Sequence, residues 1–260
     1  MTKTGKIGVV LLVLGLIVAI VVCASTMFTV KRVQMVWYTT NSPAMSKVTG
    51  EQILLASGVK SNSVFKLDRA LAINNLEKEF NEMRIIDLEV VYPNVLKIHA
   101  VERQRVYAIP TNYGDYLITD EYLHVLDTVT EFNSMKTNCV LLDIEDMKEH
   151  YTIGDSVPFA RIQTFVEVYN AFYSLKQDLS HMLAIIKSID YTNSKMVLHT
   201  HFDVDIIIDN PTQNTQSKVR MGLKTFDELG SEEYGKVNIE IVLSEEGKLN
   251  GYITDKTNED

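Results

Sequence analysis

The sequence predicts an α+β protein in three parts: a single N-terminal transmembrane helix, a small β-α-α-β-β unit, and a longer mixed-sheet β unit with flanking helices. Three observations carry this expectation. Residues 7–30 contain no charged side chain. Residues 33–103 interleave short alternating runs with two helical stripes, which bury together only in two layers. Residues 104–254 read mostly as short strands, with two further helical stripes among them.

As a helix rising 1.5 Å per residue, residues 7–30 reach about 36 Å, beyond the ~30 Å hydrocarbon core of a bilayer. They are expected to cross the cytoplasmic membrane once, with residues 1–6 as a short cytoplasmic tail and the body outside the cytoplasm. A secretory signal has a shorter apolar run and a small-x-small cleavage site, whereas Val22-Cys23-Ala24 puts a β-branched residue where a small one belongs. Ile20, Val21 and Val22 ahead of Cys23 are equally unlike a lipoprotein signal. Lys3 and Lys6 face Lys31 and Arg32 across the stretch, so the positive-inside count does not set the orientation. A short leading tail and a long following domain are compatible with an extracytoplasmic body.

The chain has 25 Lys plus Arg against 34 Asp plus Glu. Four of those cations (Lys3, Lys6, Lys31, Arg32) and none of the acids precede Val33, so the body is strongly acidic. Such a surface repels phosphate backbones, and nucleic acid is not an expected partner. Anionic headgroups are repelled too, except beside Lys31 and Arg32. The two cysteines, Cys23 and Cys139, lie in the apolar stretch and far along the body, which excludes a disulfide scaffold.

In the first unit, Val33 to Tyr38 is a β-type run, closed by the turn signal Asn41-Ser42-Pro43. Thr49-Gly50-Glu51-Gln52 reads as a capping box opening a helix that Gly58 ends. A second helix is predicted from about 68 to 82, with Ile73, Leu76, Phe80 and Met83 as its buried stripe. Two strands follow: Ile86, Leu88 and Val90 alternate with Asp87 and Glu89, and Leu96, Ile98 and Ala100 alternate with Lys97 and His99. Tyr92-Pro93-Asn94 turns the chain between them. Glu102-Arg103 reads as an ion pair at a hinge or as a polar strand exit.

The order of these elements directly after one span, together with the phrase YPNVLKIHAVERQRVYAI, resembles the POTRA domain of the bacterial cell-division proteins of the FtsQ/DivIB family. Pro93, Leu96, Ile98, Glu102 and Arg103 match the family's strand pattern, while Arg105 stands where a proline is common. Tyr116 to Glu121 is similar to a later strand and turn of the family, with Leu123 replacing its usual glycine, and Ile153-Gly154-Asp155 is similar to another element. The segment Cys139 to Asp143 lacks the family's Pro-x-x-x-G. The resemblance implies a POTRA domain over residues 33–103, a β domain over 104–254 and a polar tail over 255–260. It also implies a non-enzymatic divisome scaffold at the septum, with FtsB/DivIC-like and FtsL-like single-span proteins as partners and the bilayer as a further one through residues 7–30. The alternative is a POTRA-containing, membrane-tethered chaperone or docking module for exported polypeptides.

The second unit also reads from its own pattern. Pro158 at a first helical position precedes the stripe Phe159, Ile162, Phe165, Tyr169 and Phe172. Ile185 to Tyr191 is β-like. Met196 to Asp209 is one long strand or a hairpin broken near Phe202-Asp203. A helix carries Val219, Leu223, Phe226 and Leu229, with Gly230 as its stop. Two strands end the unit, Val237 to Leu243 and Lys248 to Ile253, joined through Ser244-Glu245-Glu246-Gly247. A last strand lies at a sheet edge unless something pairs with it, and its free amides and carbonyls accept another chain. Lys248, Leu249, Asn250, Gly251, Tyr252 and Ile253 are therefore the candidate partner-binding residues.

No G-x-S-x-G, P-loop, H-E-x-x-H or C-x-x-C occurs. His199, His201, Asp203 and Asp205 share one face of a continuous strand and are the best metal candidates, but a solvated face has the same pattern. No catalytic residue, cofactor, metal or small-molecule substrate is expected.

Overall fold

The computed structural model describes residues 3–38, 48–60, 62–144, 151–176, 179–192, 194–244 and 248–256. The Asn41-Ser42-Pro43 turn, the middle of the 244–247 connection and residues 257–260 of the tail lie outside them. The chain forms two compact units, Met1–Arg103 and Gln104–Asp260.

The first unit opens with helix α1 (Lys3–Met27). Residues 7–23 of this helix carry no charged side chain. The turn that follows is polar, with the Ser25 and Thr26 hydroxyls donating back to the Val22 carbonyl at 2.8 and 3.1 Å. Among the described residues no helix is long and apolar enough to cross a membrane. This overturns the expected transmembrane helix over residues 7–30, and the bilayer partner that rested on it is not supported.

Strand β1 (Arg32–Trp37), helix α2 (Gly50–Ala56), a 3₁₀ turn (Val64–Lys66), helix α3 (Arg69–Glu79) and strands β2 (Met83–Val91) and β3 (Val95–Glu102) complete the unit. The capping box forms: the Thr49 hydroxyl accepts from the Gln52 amide, and the Gln52 side chain accepts from the Thr49 amide. Asp68 caps α3 by accepting from the Leu71 amide at 3.0 Å. The sheet order is β1-β3-β2, with β1 parallel and β2 antiparallel to β3. Leu96, Ile98 and Ala100 are fully buried, facing Ile53 and Leu76 of the helical layer.

Two details depart from the sequence pattern. Helix α3 ends at Glu79, three residues earlier than expected; Ala72 and Leu76 are its buried residues, and Met83 begins the next strand. A β-bulge between Ile85 and Asp87 shifts the phase of β2, so that Ile85 is buried and Ile86 is 52% exposed.

The second unit contains β4 (Tyr107–Pro110), β5 (Tyr116–Thr119), β6 (Val125–Val129), α4 (Ser134–Thr137), β7 (Val140–Ile144), α5 (Ile162–Lys176), α6 (Leu179–Ile185), β8 (Ile186–Tyr191), β9 (Lys195–Thr200), β10 (Asp205–Asp209), α7 (Thr215–Asp227), β11 (Val237–Leu243) and β12 (Leu249–Asp255). Its nine strands form one mixed sheet in the order β12-β11-β10-β9-β8-β7-β4-β5-β6. The pairs β4·β7, β7·β8 and β10·β11 are parallel. Helices α6 and α7 lie against β8 and β10–β12, and α5 packs on both helices. Residues 196–209 are a hairpin, with Asp205 opposite His199 and Asp203 at φ +54°. Pro158 lies ahead of α5 and not at its first position, and Ile185 closes α6, a helix the sequence pattern did not suggest.

Candidate docking edge

Two sheets have four edges, and an unpaired edge invites another chain. Three are met on the outer side, at one or two residues each, by groups of the same unit. Outside β1, the first turn of α2 comes so near that a β-carbon at Gly50 would stand 3.4 Å from the Val33 carbonyl oxygen. At β2, the Ile85 amide donates to the Glu77 carboxylate at 2.7 Å and the Leu88 amide to the Asp87 carboxylate at 2.8 Å, beside the bulge. Glu77 is itself held by Arg103 at 3.1 Å. At β6, the Val125 amide donates to the Asp155 carbonyl at 2.8 Å and its carbonyl accepts from the Gly154 amide at 2.9 Å. That covering turn is fixed by the Asp155 carboxylate, which accepts from the Thr152 amide and hydroxyl, and these bonds hold its pKa below the ordinary value.

The fourth edge is β12. Among the described residues its backbone bonds to β11 alone, with Tyr252 opposite Glu240, Gly251 opposite Ile241 and Ile253 opposite Ile239. In an antiparallel ladder alternate residues turn N–H and C=O outward, so the outer side offers donors and acceptors to a further strand. Tyr252 and Ile253 are 51% and 49% exposed.

The candidate residues divide by face. Leu249, Gly251 and Ile253 lie on the side covered by α7, where Leu249 packs on the main core. A β-carbon on Gly251 would meet the Thr225 hydroxyl oxygen of α7 at 2.5 Å, so only glycine fits there without a shift. Asn250 and Tyr252 lie on the opposite, wet side. Lys248 precedes the strand; its amide donates to the Ser244 hydroxyl at 3.1 Å, and its carbonyl accepts from the Ser244 amide at 2.8 Å. Thr225 and Glu240, which wall the edge on its two sides, carried no signal in the sequence because both are defined by long-range pairing.

The metal candidates do not converge. His199 lies on the wet face between two carboxylates, with Nδ1 2.8 Å from Asp205 and Nε2 3.0 Å from Asp190. Both ring nitrogens therefore donate, and the Asp205 bond above all holds the imidazole pKa above its ordinary value. His201 and Asp203 sit in the β9–β10 turn. Among the described residues no group of three or more His, Cys, Asp or Glu could hold a metal ion.

Buried ionisable groups elsewhere serve packing. The Tyr107 hydroxyl donates to the Phe165 carbonyl at 2.8 Å, and burial pushes its pKa well up. Burial also raises the Cys139 thiol to about 12. Lys218 is only 2% exposed; its ammonium bonds the Asp209 and Asn210 carbonyls at 2.7 and 2.9 Å, and burial lowers its pKa.

No protein-family model and no curated protein matches the chain.

Proposed function

We propose that the chain is a non-enzymatic scaffold of the bacterial cell-division machinery, of the FtsQ/DivIB kind, that takes a strand of another polypeptide onto β12. The observation that carries the docking mode is the contrast among edges: at β1, β2 and β6 a helix, side chains or a turn of the same unit meet the outer side at one or two residues, whereas among the described residues the β12 backbone bonds to β11 alone. The division role rests on the YPNVLKIHAVERQRVYAI phrase and on the two-helix, three-stranded unit that carries it. On this reading the partners are FtsB/DivIC-like and FtsL-like proteins.

The test is co-purification of the full chain with an FtsB/DivIC-like protein. Tyr252→Glu combined with Ile253→Lys places charges on the exposed edge and is expected to cut capture at least tenfold, with thermal unfolding within a few degrees of wild type. Capture unchanged by the pair removes β12 as the site. A fluorescent fusion is expected at midcell; an even distribution would replace the division role by docking of other polypeptides.

A further inference from the structure

We propose that the end of the first unit where the 28–32, 62–66 and 92–94 segments meet is a seat for an anionic lipid surface. The claim concerns these three loops and is independent of β12.

Backbone hydrogen bonds tie the loops together: Val64 N–H to the Phe28 carbonyl at 2.9 Å, Val30 N–H to Asn62 at 3.0 Å and Lys31 N–H to Asn94 at 3.0 Å. The tie gathers three rings. Phe28 and Phe65 have centroids 5.2 Å apart, Phe65 and Tyr92 5.9 Å, and Phe28 and Tyr92 6.3 Å. Phe28 is partly buried against the core of the unit, but burial does not account for Phe65 and Tyr92, which are 66% and 61% exposed. Aromatic rings grouped in water at this cost mark a surface that meets something else. They cluster through each other, and no described element covers Phe65 or Tyr92.

Charge selects the occupant. The three segments read FTVKR, NSVFK and YPN: they contain Lys31, Arg32 and Lys66, all exposed, and no carboxylate. The whole chain has nine more acids than bases, so a cation-only end is a sharp local reversal. Amphipathic rings flanked by Lys and Arg suit the headgroup layer of a membrane, where the rings lie among the upper acyl carbons and the cations meet phosphate. An acidic polypeptide would match the cations but would not explain why Phe65 and Tyr92 stand exposed beside them.

The experiment uses the full chain with Trp37→Phe, which removes its only tryptophan, and Phe65→Trp as the probe. Vesicles are phosphatidylcholine alone, or with 30% phosphatidylglycerol, each with or without brominated acyl chains. The expected result is a blue shift and bromine quenching of the residue-65 indole with the anionic vesicles only. Replacing Lys31, Arg32 and Lys66 by Gln is expected to weaken that response by about fivefold per charge. Tyr92→Trp in the same background reports the same seat should Phe65→Trp fail to fold. An indole that stays unquenched while the protein pellets with vesicles would overturn the proposal, because some other part of the chain would then be the contact. Equal quenching by neutral vesicles, no loss in the Gln variant, or displacement of the vesicles by polyglutamate would each overturn it as well, the last in favour of an acidic protein partner.

Discussion

Gly251 of β12 lies beneath Thr225 of α7 with no space for a β-carbon, which would stand 2.5 Å from the threonine hydroxyl oxygen. Gly251→Ala is therefore expected to destabilise the second unit by about 1–3 kcal/mol through overpacking. Thr225→Ala in the same chain removes the oxygen and is expected to restore most of the loss. Urea unfolding of the two single variants and the double one gives the coupling. Additive losses would mean that the strand edge, and not the helix above it, sets the demand for glycine.

Glu77 performs two tasks, accepting the outward amide of Ile85 and pairing with Arg103, whose side chain is only 6% exposed. Glu77→Ala takes the carboxylate from a buried guanidinium, which keeps its Nε bond to the Met83 carbonyl at 3.3 Å, and removes the acceptor of the Ile85 amide, for an expected cost of about 2–3 kcal/mol. Glu77→Gln keeps an acceptor and is expected to lose less. Chemical denaturation distinguishes them, and self-association of the alanine variant alone would show that Glu77 also guards this edge.

Leu123 is buried with φ +56°, a conformation that a branched hydrophobic side chain rarely adopts, in a turn where the Asp120 carboxylate accepts the Tyr122 and His124 amides at 2.9 Å. Leu123→Gly relieves about 1 kcal/mol of backbone strain but deletes a buried leucine, for an expected net loss of about 2–3 kcal/mol. A gain in melting temperature would mean that the strain outweighs the packing.

His199 and Asp205 give the second unit a pH signature. The histidine pKa is raised from 6.5 by its bond to Asp205, so its contribution is full below pH 6.5 and fades as pH rises through the raised folded value. The Asp205 pKa is lowered from 3.8 by the same bond, so its contribution is present above pH 3.8 and fades as pH falls through the lowered value. His199→Gln is expected to cost about 0.5–1 kcal/mol between those limits and less at pH 9. Thermal melts of both proteins across pH 4–9 check it; a constant gap would leave no ionic part in the pairing.

Much of the local structure was readable because it is locally determined. The hydroxyl and amide of Thr49 and Gln52 need only each other, and Leu96, Ile98 and Ala100 alternate with less buried residues because only one face of β3 packs on the helices. The misses have a shared cause in distant partners. Ile86 turned outward because a bulge opposite β3 shifted the phase of β2, and Ile185 went to a helix because α6 is anchored through Met182 in the core and not by its own short pattern. The β12 edge was visible as a final strand, but the Thr225 roof and the groups that meet the other three edges appear only once the sheets are assembled. His199 was legible as a polar position, while its second carboxylate, Asp190, comes from a neighbouring strand.

Across β8 to β12 the helices cover one side of the sheet and leave the other to water. In the proposed docking mode a guest strand beside β12 would extend a sheet with one helix-covered side and one wet side. Its oily residues would suit that host in one phase only, and sliding by a single position would turn all of them outward. Fidelity toward a visitor would then follow from the two-sidedness of the platform, with no need for a lock at any one side chain.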